Sequence, residues 1–165
     1  MPIAAGETRD LLLYMLWAER QTLKSVRLVR SEDLTRDAGV SFRSILGTMA
    51  HILGAQKLWL SRFLGHPEDF VLGPDDFPDL LSWITAWEES ASRVEAFLAG
   101  LTDEQLAEPL SWTSLEGVPH TLPLWQPVLQ LVNHSTYHRG QVVSLLRQMG
   151  YPAESTDLIR FFAER

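Results

Sequence analysis

The stretch Leu131-Val-Asn-His-Ser-Thr-Tyr-His-Arg-Gly-Gln141 decides how this chain is organised. It places His134 and His138 four residues apart in a segment whose pattern predicts a helix. Residues i and i+4 of a helix lie one turn apart on the same face, so both imidazoles can meet one ion. Apolar residues fall on or beside that face, namely Leu131, Val142, Leu145 and Met149. The two histidines are therefore predicted to face a core.

The length and composition indicate one globular domain spanning residues 1–165. A chain of 165 residues with 45% hydrophobic residues is long enough to bury a sizeable core. The formal net charge of -7 argues against binding to nucleic acid or to an anionic membrane surface, because both need a basic face. The first ten residues lack the order of a signal peptide, and no apolar run approaches a membrane span. A cytoplasmic protein is expected.

The chain contains no cysteine. Disulfides are therefore excluded, and any metal must be bound through nitrogen and oxygen ligands. A protein thiol cannot act as a nucleophile here. If thiol chemistry occurs, the thiol must arrive as a substrate or cosubstrate.

Working outward from the fourth helix, periodicity predicts an all-α fold. Long helices are expected at 8–29, 41–64, 80–99 and from between Pro123 and Trp125 to Met149, with Thr8 and Ser41 as caps of the first two. Residues 31–40 are predicted to be a polar connector and 68–79 an acidic crossover loop. Segments 110–112 and 118–120 flank a turn and predict a short β-hairpin, and 156–163 a short last helix. The result is a four-helix bundle with a hairpin before its fourth helix.

Two helices carry polar residues on faces that are otherwise apolar. On the first helix the inward positions are Leu12, Met15, Leu16, Glu19, Leu23 and Val26. The second helix has an unusually wide apolar arc, which is typical of the central helix of a bundle, and His51 sits at its margin. A buried histidine with a backbone partner would explain His51 alone, and a satisfied core pair would explain His134 and His138.

The sharper hypothesis is one mononuclear metal site formed by His51, His134 and His138. Three neutral imidazoles leave a divalent ion its full charge and at least one open position, which is expected of a catalytic site. Imidazole suits zinc, nickel, copper or iron, so the ligands do not name the metal. Signatures of zincins, di-iron bundles, serine hydrolases and phosphate-binding loops are absent from the sequence.

Two further polar residues could take part. Gln141 lies one turn after His138 and could hydrogen-bond to water or substrate, or could simply be a polar residue at the bundle end. His120, in the predicted hairpin, is either a solvated residue or one that lines the site. The residues leave both choices open.

Three blocks of sequence resemble the DinB-like (DNA-damage-inducible, YfiT-related) family of four-helix metal-binding proteins. The blocks are 14–18 in the first helix, 49–52 with Trp59 in the second, and 131–141 continuing to 146–150 in the fourth. The segment Pro119-His-Thr121 and the following Pro-Leu-Trp125 also fit, so the likeness spans nearly the whole chain. The fourth-helix block is the most specific of these.

The resemblance implies an up-down-down-up bundle, frequent homodimers, and a divalent metal, often zinc or nickel, held by His51, His134 and His138. The leading expectation is a metal-dependent enzyme of the thiol S-transferase type that activates a small-molecule thiol, with Gln141 as a contact to substrate or solvent. The alternatives are a metal-dependent hydrolase, in which water is the nucleophile, and a non-enzymatic metal-binding protein of the stress response. Likeness of fold alone does not decide among them.

Overall fold

The computed structural model describes residues 3–68 and 72–165 and shows a helical bundle with one hairpin. Its elements in chain order are α1 (Ala5–Val26), α2 (Ser31–Thr35), α3 (Ile45–Phe63), α4 (Leu80–Gly100), α5 (Asp103–Ala107), β1 (Pro109–Thr113), β2 (Pro119–Pro123), α6 (Trp125–Gln148) and α7 (Leu158–Ala163). A 3₁₀ turn at Pro74–Asp76 precedes α4. The four long helices, α1, α3, α4 and α6, confirm the predicted four-helix bundle.

Specific contacts fix the directions of the helices. The backbone amide of Ala5 donates to Asp103, so the start of α1 lies beside the end of α4. Gln56 donates to Ser90, and seven residues later in each helix the rings of Phe63 and Phe97 stack, so α3 and α4 run in the same direction. These contacts establish the up-down-down relationship of the first three long helices.

The ends of α1 and α6 also meet, which completes the up-down-down-up order. The amide of Glu154, just beyond α6, donates to Ser25 near the end of α1. Each long helix therefore has two neighbours, since α6 packs against α1 and α3, and α4 packs against the same two helices. The fourth helix thus lies between the first two, where side chains from all three can meet.

The hairpin closes the end of the bundle at which α6 begins. β1 and β2 pair antiparallel, with Trp112 opposite His120. The indole of Trp112 packs edge-on against Trp59 near the end of α3, with ring centroids 5.3 Å apart. The predicted hairpin is confirmed, with longer strands than expected.

Helix α3 is the central helix that its wide apolar arc predicts. All six residues from Ile45 to Ala50 are buried. A helix buried on every side needs neighbours all around it, and α3 has α2, α4, α6 and β1. Residues in its first half are therefore shielded from solvent. Among the described residues no helix is both long and apolar enough to cross a membrane.

Both predicted caps are wrong. Helix α1 begins three residues before Thr8, whose hydroxyl is inside the helix and donates to the carbonyl of Ala4. Helix α3 is capped by Ser44 instead of Ser41, because the Ser44 hydroxyl accepts from the amide of Gly47. As a result Phe42, predicted to be helical, belongs to the turn that precedes α3.

One predicted connector differs from expectation, and another is described only in part. The predicted polar connector contains the short helix α2, whose residue Asp33 is buried and bonded to Arg30 and to the hydroxyl of Tyr151. The Asp33 carboxylate is therefore paired where it is buried, which stabilises this short helix. Of the predicted acidic loop, residues 69–71 lie outside the described residues.

Candidate metal centre

The structure brings His51, His134 and His138 together between α3 and α6. His51 comes from the first half of α3, and the other two come from the middle of α6, which packs along it. One ligand atom from each histidine lies within 4.8 Å of the other two. The i, i+4 spacing and the packing of these helices thus produce the cluster predicted from the sequence.

The closest pair of atoms is Nε2 of His51 and Nε2 of His134, which are 3.0 Å apart. Two imidazole nitrogens that share one tetrahedral zinc ion lie about 3.3 Å apart, since each bond is about 2.0–2.1 Å long. The ring centroids of His134 and His138 are 4.4 Å apart, and those of His51 and His138 are 4.5 Å apart. The three rings are therefore spaced so that they could hold a metal ion.

Gln141 fixes the tautomer of His138. The two residues are one turn apart, and Nδ1 of His138 lies 2.9 Å from Oε1 of Gln141. An amide oxygen can only accept, so Nδ1 carries the proton and Nε2 keeps its lone pair. This is the usual way in which a metal-binding histidine is oriented by its second ring nitrogen. Gln141 thus contacts the cluster through His138.

Burial keeps two of the rings neutral. The pKa of His51 is lowered to about 4 by burial, and then by the proximity of His138. The pKa of His134 is lowered to about 4 by burial and by the other two histidines. Neutral imidazole is the form that binds metal. Nδ1 of His134 is buried and finds no hydrogen-bond partner among residues 3–68 and 72–165.

Two aromatic rings flank the cluster, and sequence reasoning missed the first of them. Phe42 stacks on His51 with ring centroids 3.9 Å apart and planes 14° apart, and it meets His138 edge-on at 5.3 Å. Tyr137 is exposed and meets His138 edge-on at 4.9 Å. Periodicity placed Phe42 within the second helix. The one sequence signal for the turn that it occupies is Ser44, which caps α3 by accepting from the amide of Gly47.

His120 does not join the three histidines. It is an exposed residue of β2 that lies opposite Trp112, and its ring stacks on that indole with centroids 5.2 Å apart. Trp112 in turn packs against Trp59, two turns further along α3 than His51. Its place in the hairpin agrees with the solvated, hairpin-stabilising role that was one of its two interpretations.

A second polar cluster lies on the adjacent face of α6, one residue beyond each histidine. Arg139 is 1% exposed and donates to the hydroxyl of Ser135 at 2.8 Å. Ser135 donates to one carboxylate oxygen of Glu19 at 2.7 Å, and the indole of Trp87 donates to the other at 2.8 Å. Burial raises the pKa of Glu19, while these two bonds and the charge of Arg139 oppose the rise. We call these residues, Glu19, Trp87, Ser135 and Arg139, the ionic cluster.

A shallow groove of about 260 Å³ runs along the exposed side of α6 beside Gln141. Its lining is uncharged and includes Val40, Tyr137, Gln141 and Leu145. The two residues nearest the histidines, Tyr137 and Gln141, both contact His138. The groove therefore offers an uncharged surface adjoining the cluster.

Three proteins of known structure share this fold. The structure of YfiT from Bacillus subtilis, described as a probable metal-dependent hydrolase with an unusual four-helix bundle topology, matches with a TM-score of 0.72 and 17% identity over 91% of each chain. A DinB-like protein from Bacillus cereus ATCC 10987 matches with a TM-score of 0.62 and 23% identity over 88% of this chain and 94% of that one. A conserved protein from Enterococcus faecalis has a TM-score of 0.67 and 14% identity, over 89% and 96% of the two chains.

Sequence comparison gives the family. Protein DinB from Bacillus subtilis (strain 168) is 26% identical over an alignment of 153 residues, and the match covers 87% of each chain. The sequence profile of the DinB family matches residues 3–164, from the start of α1 to the end of α7. The match thus includes all three histidines and both helices that carry them. The chain belongs to the DinB family.

Proposed function

We propose that this protein is a metal-dependent enzyme that binds one divalent ion through His51, His134 and His138. The observation that carries the proposal is the convergence of three imidazoles from two helices within 4.8 Å. The lowered pKa values of His51 and His134 support it, because both rings are neutral at physiological pH and ready to bind metal. The hydrogen bond from His138 to Gln141 supports it as well, since it leaves Nε2 free to bind.

The ligand set favours a catalytic over a structural site. Structural zinc sites use four protein ligands, whereas catalytic sites use three and keep one position open. Within the described part of the chain, the group that could hold an ion contains three residues. A bound divalent ion would supply Lewis-acid chemistry, lowering the pKa of a thiol or of water and polarising a carbonyl. Neutral imidazole suits zinc, nickel, copper and iron, and the likeness to the DinB family favours zinc or nickel among them.

The first candidate reaction is transfer of a small-molecule thiol to an electrophile. The sulfur would form a bond to the electrophilic carbon, and the thiol proton and the leaving group would be released. Because the chain has no cysteine, an incoming thiolate meets no competing protein thiol. The uncharged groove beside Gln141 suits a small, largely apolar electrophile better than a charged one.

The second candidate is metal-dependent hydrolysis, which the description of YfiT favours. The same three histidines would hold the ion, and water would replace the thiol as the nucleophile. Hydrolysis also calls for a general base near that water. Within the described part of the chain, no Asp or Glu joins the group formed by the three histidines, so no carboxylate is placed beside them to act as that base. We therefore rank thiol transfer first.

The test compares the zinc- or nickel-loaded protein with the same protein after chelation. Both are assayed with a panel of thiols and an electrophilic chromogenic acceptor, and with nitrophenyl esters and anilides. We expect conjugation that requires metal and is lost in His51→Ala. Metal-dependent cleavage of the esters or anilides without conjugation would favour the second candidate. No metal-dependent turnover in either panel would overturn the assignment as an enzyme of these two classes.

A further inference from the structure

Phe42 touches two of the three clustered histidines although it offers no ligand atom. Its ring lies flat on His51, with centroids 3.9 Å apart and planes 14° apart. It also meets His138 edge-on, with centroids 5.3 Å apart and planes 76° apart. A flat contact at this distance restricts rotation of the His51 ring, because any tilt drives one ring into the other.

The turn that carries Phe42 has an unfavourable backbone conformation. Arg43, the next residue, has φ of 66°, in the left-handed region that non-glycine residues rarely occupy. The Arg43 carbonyl accepts from the amide of Ala38 at 2.7 Å, and its amide donates to Val40 at 2.8 Å. Two backbone hydrogen bonds thus hold Arg43 in a conformation that its side chain disfavours. Such strain persists only where the surroundings enforce it, and it is common at functional sites.

The turn also presses against α3 so closely that only glycine fits there. A Cβ atom on Gly47 would lie 2.0 Å from the carbonyl oxygen of Phe42. That distance is far shorter than any contact between nonbonded atoms, so a side chain at this position would push the Phe42 backbone away. The first turn of α3 is therefore shaped to bring Phe42 over His51, one turn further along the same helix.

We propose that Phe42 is a positioning residue that fixes the His51 ring so that its Nε2 faces His134 and His138. The strained turn and Gly47 hold Phe42 in place. His138 is oriented by its hydrogen bond to Gln141, and His51 by stacking on Phe42. The inference rests on the proposed metal site, because it concerns how well that site is formed before an ion arrives.

The test measures the affinity of the chelated protein for Zn²⁺ and Co²⁺, together with the visible absorption of the Co²⁺ form. Phe42→Leu keeps an apolar side chain but removes the flat ring, and we expect affinity to fall about 10-fold with a changed cobalt spectrum. Phe42→Tyr keeps the ring and should retain both the affinity and the spectrum of the parent protein. A general loss of packing would not produce both results, namely a changed cobalt spectrum in Phe42→Leu and a normal one in Phe42→Tyr.

Gly47→Ala tests the same idea without altering any ring. It should displace the Phe42 backbone and lower affinity to a similar degree. Gly100→Ala is the matched control, because a Cβ atom there has no neighbour within 4 Å and the residue lies in α4, which carries none of the three histidines. It should leave affinity and spectrum unchanged. If Gly47→Ala does not fold, the comparison of Phe42→Leu with Phe42→Tyr decides alone.

The outcomes separate this inference from the proposed function. If the parent protein binds neither ion, the metal site itself is wrong, and Phe42 has no ligand to position. If the parent protein binds and Phe42→Leu matches it in affinity and spectrum, the positioning role is overturned. If both Phe42→Leu and Phe42→Tyr lose affinity equally, the effect is loss of packing, and the role assigned to the flat ring is also overturned.

Discussion

The polar residues on two adjacent faces of α6 have opposite kinds of partner. On one face His134 and His138 meet His51, and three neutral rings crowd together around shared space. On the other face, one residue further along in each case, Ser135 and Arg139 belong to the ionic cluster with Glu19 and Trp87. A rotation of about 100° around one helix separates these two arrangements.

The difference lies in whether opposite charges meet, since each cluster holds one buried nitrogen without a hydrogen-bond partner among the described residues, Nε of Arg139 and Nδ1 of His134. In the ionic cluster a buried cation and a buried carboxylate are joined through a hydroxyl, so opposite charges and hydrogen bonds offset the cost of burial. In the histidine cluster, like groups face like groups, and Nδ1 of His134 has no partner among the described residues. Buried groups of opposite charge that face one another stabilise the fold, whereas neutral imidazoles that face one another are suited to bind a cation.

The largest effect is expected from removing a histidine. His134→Ala should reduce the metal content from one equivalent to none, because two imidazoles bind an ion far more weakly than three. The unfolding free energy of the chelated protein should fall little or even rise, since the variant removes a buried polar ring. Elemental analysis and chemical denaturation measure the two quantities. Full retention of metal in His134→Ala would show that the ion binds elsewhere.

The ionic cluster should show the reverse pattern. Arg139→Met removes a side chain that is 1% exposed and leaves the buried Glu19 without its cation. We expect a loss of about 3–5 kcal/mol in the free energy of unfolding, as found when one member of a buried pair is removed. Urea denaturation of the chelated protein measures it. If Arg139→Met lowers the free energy of unfolding no more than His134→Ala does, the proposed difference between the two faces is wrong.

An intermediate effect is expected at Gln141, which touches the histidine cluster without being a ligand. Gln141→Ala removes the acceptor for Nδ1 of His138 and frees the other tautomer. Metal affinity should weaken by about 10–100-fold, which is typical of residues that orient a ligand. Competition with a chromogenic chelator measures the affinity. Gln148→Ala, which makes the same substitution at the last residue of α6, serves as control. Equal affinities in the two variants would contradict the orienting role.

The smallest effect concerns pH and Glu19. Because its pKa in the folded protein is raised, the folded state holds a proton that the unfolded state has released. Stability from this group is therefore complete below the ordinary carboxyl pKa and is lost as pH rises through the raised value. The loss is on the order of 1 kcal/mol for each unit by which the pKa is raised. The charged groups acting on Glu19 are Arg139 and Arg20, and both lower its pKa.

Glu19→Gln isolates this contribution. His51 and His134 titrate in an overlapping range with the opposite sign, because their pKa values are lowered. Only the difference between the parent protein and the variant therefore reports on Glu19. We expect the parent protein to lose stability relative to the variant as pH rises from about 4. Parallel curves of unfolding free energy against pH would show that Glu19 does not titrate differently in the folded state.

Periodicity predicted the four long helices because apolar residues recur at helical spacing along each of them. It also placed His134, His138 and Glu19 on apolar faces, and His51 at the margin of one. Spacing within one helix brings His134 and His138 together, so that part of the cluster could be predicted from local sequence alone. The role of metal ligand remains a prediction for all three histidines.

What the sequence could not supply were contacts between distant segments and the conformation of turns. Glu19 is 116 residues from Ser135 and 68 from Trp87, and no local pattern pairs them. Phe42 continues the apolar spacing of α3, so periodicity extends the helix through it. The backbone of Arg43 and the close approach at Gly47 show that the chain turns there.

The segment after α6 links the end of the chain to the middle of the bundle. It returns along α1, where Phe161 packs on Tyr14 and Trp17, and the carbonyl of Thr156 accepts from the hydroxyl of Tyr14. That same hydroxyl accepts from Arg139, one residue from His138. Trimming the last ten residues to ease crystallisation would therefore leave Tyr14 free to turn and would loosen the helix that carries two histidines. Anyone shortening or fusing this protein should leave that tail in place.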